Sequence, residues 1–283
     1  DLQKATYLAL QNEIAAIVYS NIKSGEIPIN DVYTALIGNS VINTEHFSKS
    51  KASDTEKSVL SVFKSRQKTT LGKIKQELTS SPEALNTMSD EVLDEFTYII
   101  SMLKDDQVLL KNEIDTSDSV YQKWKDQKIS PKEYLNYCIT QHWIDISQLN
   151  VDEKYADSTE VYDALCKYIL KNIKTDTEFS KIIYQYMITR GEISPRQLCL
   201  ILFDQGVLDY DDATVNKLKN GSLSPRDFLM KKIYNIEITP AQLALEPCIG
   251  SCVVTDEKTG EIRAMVSYPG YDSNKLANGV DSE

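Results

Sequence analysis

A serine three positions before a lysine occurs five times, at Ser20/Lys23, Ser48/Lys51, Ser61/Lys64, Ser65/Lys68 and Ser101/Lys104. The pair matters chemically because a lysine amine within hydrogen-bond reach can take the proton of a serine hydroxyl and make it a nucleophile for acyl transfer. Spacing alone does not give that reach. On a helix the i and i+3 side chains merely share a face, and five matches in one chain rich in serine and lysine show how little the pattern means by itself. None of the ten residues is assigned a catalytic role. No paired carboxylates and no glycine-rich phosphate loop stand out either.

The other reactive groups are sparse. The cysteines are Cys138, Cys166, Cys199, Cys248 and Cys252, and the histidines are His46 and His142. Without a Cys-x-x-Cys spacing they do not compose a zinc site, and no metal or cofactor is expected. Cys138, Cys166 and Cys199 lie among apolar helical neighbours and read as buried free thiols. On a strand the Cα atoms of Cys248 and Cys252 would be roughly 13 Å apart, beyond disulfide reach unless Gly250 makes a tight turn. His142-Trp143 follows an apolar run and reads as a packed or capping pair. Tyr134, Tyr137, Tyr184 and Tyr186 read as helix packing, with a glycan-stacking platform as the alternative.

The elements that would position these residues announce themselves by punctuation. Residues 1–24 form one amphipathic helix, with Leu2, Ala5, Ala9, Ala16 and Ile17 near the spacing of one face, ending at Ser24-Gly25. From 25 to 245 one phrase recurs. Gly191-Glu192-Ile193-Ser194-Pro195 is echoed by Gly221-Ser222-Leu223-Ser224-Pro225, and more weakly at Lys128–Pro131, Glu237–Pro240 and Gly25–Pro28. Glycine closes one helix, an aliphatic side chain docks, Ser or Thr caps the next helix, and proline occupies its first turn. Ser53-x-x-Glu56 and Thr175-x-x-Glu178 look like capping boxes. The spacing is too irregular for a solenoid, so a helical bundle or array is expected. After Ile249 the pattern turns strand-like. Gly250–Thr255, an Asp256–Gly260 turn and Glu261–Tyr268 predict a β-hairpin, with Ile262, Ala264 and Val266 on one face.

Composition narrows the partners. The 283 residues carry a formal charge of −11, which opposes a nucleic-acid backbone. The densest basic stretch, Lys64, Arg66, Lys68, Lys73 and Lys75, spreads around a helix and reads as a solvated face. No run of about 18 apolar residues is present, so no part of the chain is expected to contact a membrane by spanning it. The sequence shows no leader peptide and starts at Asp1 without a methionine, so it reads as a segment of something longer.

The hairpin carries a family resemblance. Gly250 to Thr255, Asp256-Glu257-Lys258-Thr259-Gly260-Glu261 and Ala264-Met265-Val266-Ser267-Tyr268-Pro269, with the tail Tyr271-Asp272-Ser273-Asn274, resemble the first hairpin of the transpeptidase domain of penicillin-binding proteins. Asp1 to Tyr7 resembles the helix that precedes that hairpin. Ile238 to Cys248 is similar to the end of a helical insert in class B members from clostridia-like Gram-positive bacteria. The resemblance covers about a fifth of the chain, at its two ends. It implies a parent serine D,D-transpeptidase that cross-links peptidoglycan stem peptides and is acylated by β-lactams, anchored at the extracytoplasmic face of the membrane. That chemistry uses Ser-x-x-Lys, Ser-x-Asn and Lys-[Thr/Ser]-Gly motifs after the hairpin. Lys258-Thr259-Gly260 matches the last only in letters, because it sits in the hairpin turn.

The expected fold is therefore α+β and predominantly α: residues 1–24 as the first helix of a transpeptidase-like domain, 25–245 as a helical insert with its own core, and 246–283 as the hairpin and a polar tail. The hairpin should pack on the first helix and keep an exposed edge or face, which a second copy of the chain is a candidate to cover. The expected function is a non-catalytic fragment of a penicillin-binding protein. The main alternative is a helical module that binds a cell-division or elongation partner, or the wall. A stand-alone enzyme using one of the Ser/Lys pairs is the weakest reading.

Overall fold

A computed structural model describes residues 2–80, 83–151 and 156–270. Among them the chain is predominantly helical, with twelve α-helices and one two-stranded antiparallel hairpin. The α+β, mostly α class expected from the sequence is the class observed. None of the described helices is long and apolar enough to cross a membrane.

The chain divides into two compact units, residues 1–59 with 188–283, and residues 60–187. The first unit contains α1 (Leu2–Ser24), α2 (Ile29–Gly38), α9 (Pro195–Asp204), α10 (Asp212–Asn220), α11 (Pro225–Tyr234), the short α12 (Pro240–Leu243) and the hairpin strands β1 (Gly250–Thr255) and β2 (Ile262–Tyr268). The second holds α4 (Asp90–Asp105), α5 (Ser119–Lys125), α6 (Pro131–Thr140) and α7 (Ser158–Ile173), with most of α3 (Asp54–Thr79) and of α8 (Thr177–Thr189). This division lies elsewhere than the sequence segmentation into 1–24, 25–245 and 246–283. The reason is packing: α1 packs against α11 and α12 as well as the hairpin, and α2 packs on α9 and α12.

The recurring phrase works as its residues dictate. Ser130, Ser194 and Thr239 each cap a helix through a reciprocal box with Glu133, Gln197 and Gln242, and Ser224 accepts from the Asp227 amide. Gly25, Gly191 and Gly221 take left-handed φ values of 88°, 74° and 81°. At two of the weaker echoes, before Lys128 and Glu237, the same place is held by Gln127 and Ile236, both at φ 60°. The second capping box falls elsewhere than expected: α8 starts at Thr177, and Asp176 rather than Thr175 accepts the Phe179 amide.

Two readings of apolar faces need correction. On α1 the buried residues are Thr6, Ile14, Ala15, Val18 and Ile22, while Leu2 and Ile17 are exposed. Apolar residues run nearly all round this helix, so its buried face is chosen by its neighbours and not by periodicity. On β2, Ala264, Val266 and Tyr268 are buried but Ile262 is exposed. A register shift between Val254 and Thr255 sets Ile262 out of phase with the inner face.

Candidate functional site

The seam between α1 and the hairpin is built from residues at opposite ends of the chain. The Gln3 side-chain amide donates to the Met265 carbonyl at 2.6 Å and accepts from the Met265 amide at 3.1 Å. Tyr7 packs its ring on Tyr268 with centroids 6.2 Å apart, and its hydroxyl accepts from the Gly270 amide. Glycine permits the close approach at both ends. A Cβ on Gly250 would stand 3.0 Å from Ile14 Cδ1, and one on Gly270 would stand 3.1 Å from Tyr7 Cε2. The Tyr268 hydroxyl also accepts from the Ala241 amide.

This seam fixes which hairpin edge is covered. A strand residue points its N–H and C=O to the same side. Met265 directs both at Gln3, so both face away from β1. Val253, paired with Met265 in the register, therefore aims its own N–H and C=O outward from β1. Among the described residues no main-chain group pairs with that edge at Ser251 or Val253. The outer face of the hairpin shows Val253, Ile262 and Met265, each more than half exposed, with Ile249 beside them. The expected exposed edge and face are both present among the described residues. The expected Tyr271–Asn274 tail lies outside them.

The Ser/Lys pairs are not assembled into nucleophile and base. In none of the five does the serine hydroxyl bond the lysine amine among the described residues. Ser48 and Ser65 donate instead to the carbonyls of Glu45 and Ser61. Lys258-Thr259-Gly260 forms the hairpin turn: the Asp256 carboxylate accepts from the amides of Lys258 and Thr259, and Gly260 closes the turn at φ 73°.

The remaining sequence candidates resolve as packing. Tyr184 is buried and stacked on Phe63 at 4.2 Å, and Tyr134 is stacked on Trp124 at 4.5 Å. Tyr137 and Tyr186 donate to Asp118 and Asp94. His142 takes a left-handed φ of 59° just after α6, and Trp143 is buried with its edge on Tyr137. All five cysteines are free thiols. Burial pushes Cys138 and Cys199 up to about 12 and Cys166 to about 11, so none of these three is a thiolate at neutral pH. No group of three His, Cys, Asp or Glu among the described residues is placed to hold a metal.

Two polar centres were not legible in advance. In the first unit the fully buried Glu56 carboxylate accepts from the Ser53 amide and from Gln205 Nε2, and meets His46 Nδ1, all at 2.7 Å. Gln205 also exchanges hydrogen bonds with the main chain of Asn43. Only the Ser53/Glu56 capping pair was visible in the sequence, because His46 and Gln205 arrive through tertiary structure. In the second unit Arg66, read as part of a solvated face, is half-buried and paired with Glu91 at 3.2 Å. Glu95 is buried one turn further along α4.

No family model, curated protein or solved structure matches the chain.

Proposed function

We propose that this chain is a non-catalytic segment of a class B penicillin-binding protein, contributing the first helix and first hairpin of a transpeptidase-like domain together with a large helical insert. The observation that carries the reading is the α1–hairpin seam. The two segments that resemble the family are those that pack together, although Gln3 and Met265 lie 262 positions apart. Support also comes from the uncovered β1 edge, since a hairpin that begins a larger sheet has a neighbour to receive. The parent would acylate a serine with a stem peptide or a β-lactam, with that serine outside these 283 residues. The parent's location would be the extracytoplasmic face of the membrane.

Labelling with a fluorescent penicillin tests this reading. The chain is compared with a form extended C-terminally through the parent gene. The expected result is a labelled extended form and an unlabelled 283-residue chain. Covalent labelling of the 283-residue chain itself would overturn the non-catalytic assignment and return attention to the Ser/Lys pairs. An extended form that resists labelling would overturn the family assignment.

A further inference from the structure

The first unit carries a cleft of about 510 Å³ between α1 and α11, within the usual size of a ligand site. Its floor is apolar and aromatic. Met230 is buried there, and Tyr19 meets Tyr234 edge to face at 5.2 Å. Tyr234 is 55% exposed, so beyond its contact with Tyr19 much of its surface stays open to an occupant. The rim is cationic, with Lys23, Arg226 and Lys231. None of the three is ion-paired to a carboxylate among the described residues. Arg226 donates only to the Ile22 carbonyl. The single acid lining the cleft, Asp227, accepts from the Ser224 hydroxyl that caps its own helix.

Asp and Glu outnumber Lys and Arg in the chain, 42 against 31, yet this cleft is lined by three cations and a single acid. Charge complementarity selects an anionic occupant. The α1 terminus beside the cleft is a carbonyl end, and in the first turn of α11 Pro225 has no N–H and the Asp227 amide is capped by Ser224, so the site does not offer the several free amides that hold a compact phosphate dianion. Dispersed carboxylates on an apolar body suit it better. We propose that this cleft binds an acidic peptide segment of a partner protein, with an aromatic or methionyl side chain lodged against Tyr19, Met230 and Tyr234 and its carboxylates on Lys23, Arg226 and Lys231. The proposal does not depend on the transpeptidase reading.

The probe is a fluorescein-labelled peptide of alternating glutamate and tyrosine, followed by anisotropy with the full chain at low salt. Its glutamine counterpart serves as the neutral control. The glutamate peptide should bind, and the neutral one should bind about tenfold more weakly. Lys23→Glu/Lys231→Glu should weaken binding about tenfold, whereas Lys123→Glu/Lys125→Glu, the same charge change on exposed residues of the other unit, should leave it nearly unchanged. Tyr234→Ala tests the aromatic floor without altering charge and should also weaken binding. Equal loss in the two double variants, equal affinity for the neutral peptide, or no effect of Tyr234→Ala would overturn the proposal. Competition by millimolar inorganic phosphate would replace it with a phosphate site. Dimers of the chain alone that Lys23→Glu/Lys231→Glu dissolves would replace the partner with a second copy.

Discussion

Gln3 and Met265 exchange two hydrogen bonds, and through them one side-chain amide on α1 takes the place of a neighbouring strand beside β2. An edge residue normally leaves its N–H and C=O to water or to another chain. Here one edge is blunted by a helix and the other, at β1, is not. Any further strand is thereby directed to the β1 side.

Gln3→Ala should lower stability by about 1 kcal/mol, because both Met265 groups return to water and are not left buried. The sharper readout is local. Amide exchange at Met265 should speed up about fivefold, while Ala264, bonded into the β1 ladder, should change less. Equal acceleration at both amides would show that Gln3 holds the whole hairpin and not its edge.

The left-handed positions ending the helices offer a backbone test. Gly191 sits at φ 74° with nothing within 4 Å of where a Cβ would be, so Gly191→Ala changes conformation and little else. It should cost about 1 kcal/mol. Gln127 occupies the equivalent place at φ 60°, and Gln127→Gly should gain about 0.5 kcal/mol, the relieved strain being partly offset by a freer unfolded chain. Thermal melts of the two variants should move in opposite directions; a shift of the same sign would refute the shared role.

That test also shows what the sequence could and could not disclose. Ser130, Ser194, Ser224 and Thr239 could be read as caps because capping is local, and a Pro follows each one. The hairpin was legible for the same reason: alternation, an acidic turn and Gly260 lie within a few residues of one another. The buried face of α1 was not, since its apolar residues surround the helix and only α11 and the hairpin decide which are covered. The aromatic and cationic cleft was also hidden. Tyr19 and Lys23 are separated from Arg226 and Tyr234 by about two hundred residues, and no spacing rule reaches that far.

Glu56 anchors the start of α3 in a way that pH should expose. Burial alone would raise its pKa, but the hydrogen bonds from Gln205, Ser53 and His46 outweigh burial and hold it below the usual glutamate value. An acid with a lowered folded pKa stabilises the fold above its unfolded value, and that contribution is lost as pH falls through the folded one. Glu56→Ala should cost about 3 kcal/mol at neutral pH, since it strands the Ser53 amide and Gln205. The gap between the urea midpoints of wild type and variant should narrow, without closing, as the pH falls below the ordinary glutamate range, because a protonated Glu56 still accepts from Ser53 and Gln205 while Ala does not.

Glu95 predicts the opposite sign. Burial first, and the neighbouring Glu91 second, raise its pKa from 4.5 to about 8; Lys73 and Arg66 pull it down, and Asp94 adds slightly to the rise. All these groups lie on α3 and α4 within the second unit. The folded chain keeps Glu95 protonated where the unfolded chain does not, so its contribution is complete below pH 4.5 and drains away up to pH 8. Within that window the loss approaches about 1.4 kcal/mol per pH unit, before screening and relaxation reduce it. Glu95→Gln keeps the shape and removes the titration. Its stability relative to wild type should rise steadily between pH 5 and pH 8 and then level off. Parallel pH profiles for the two proteins would mean that Glu95 is solvated or paired in the folded chain, and that the acid pair on α4 is not the strained contact its burial implies.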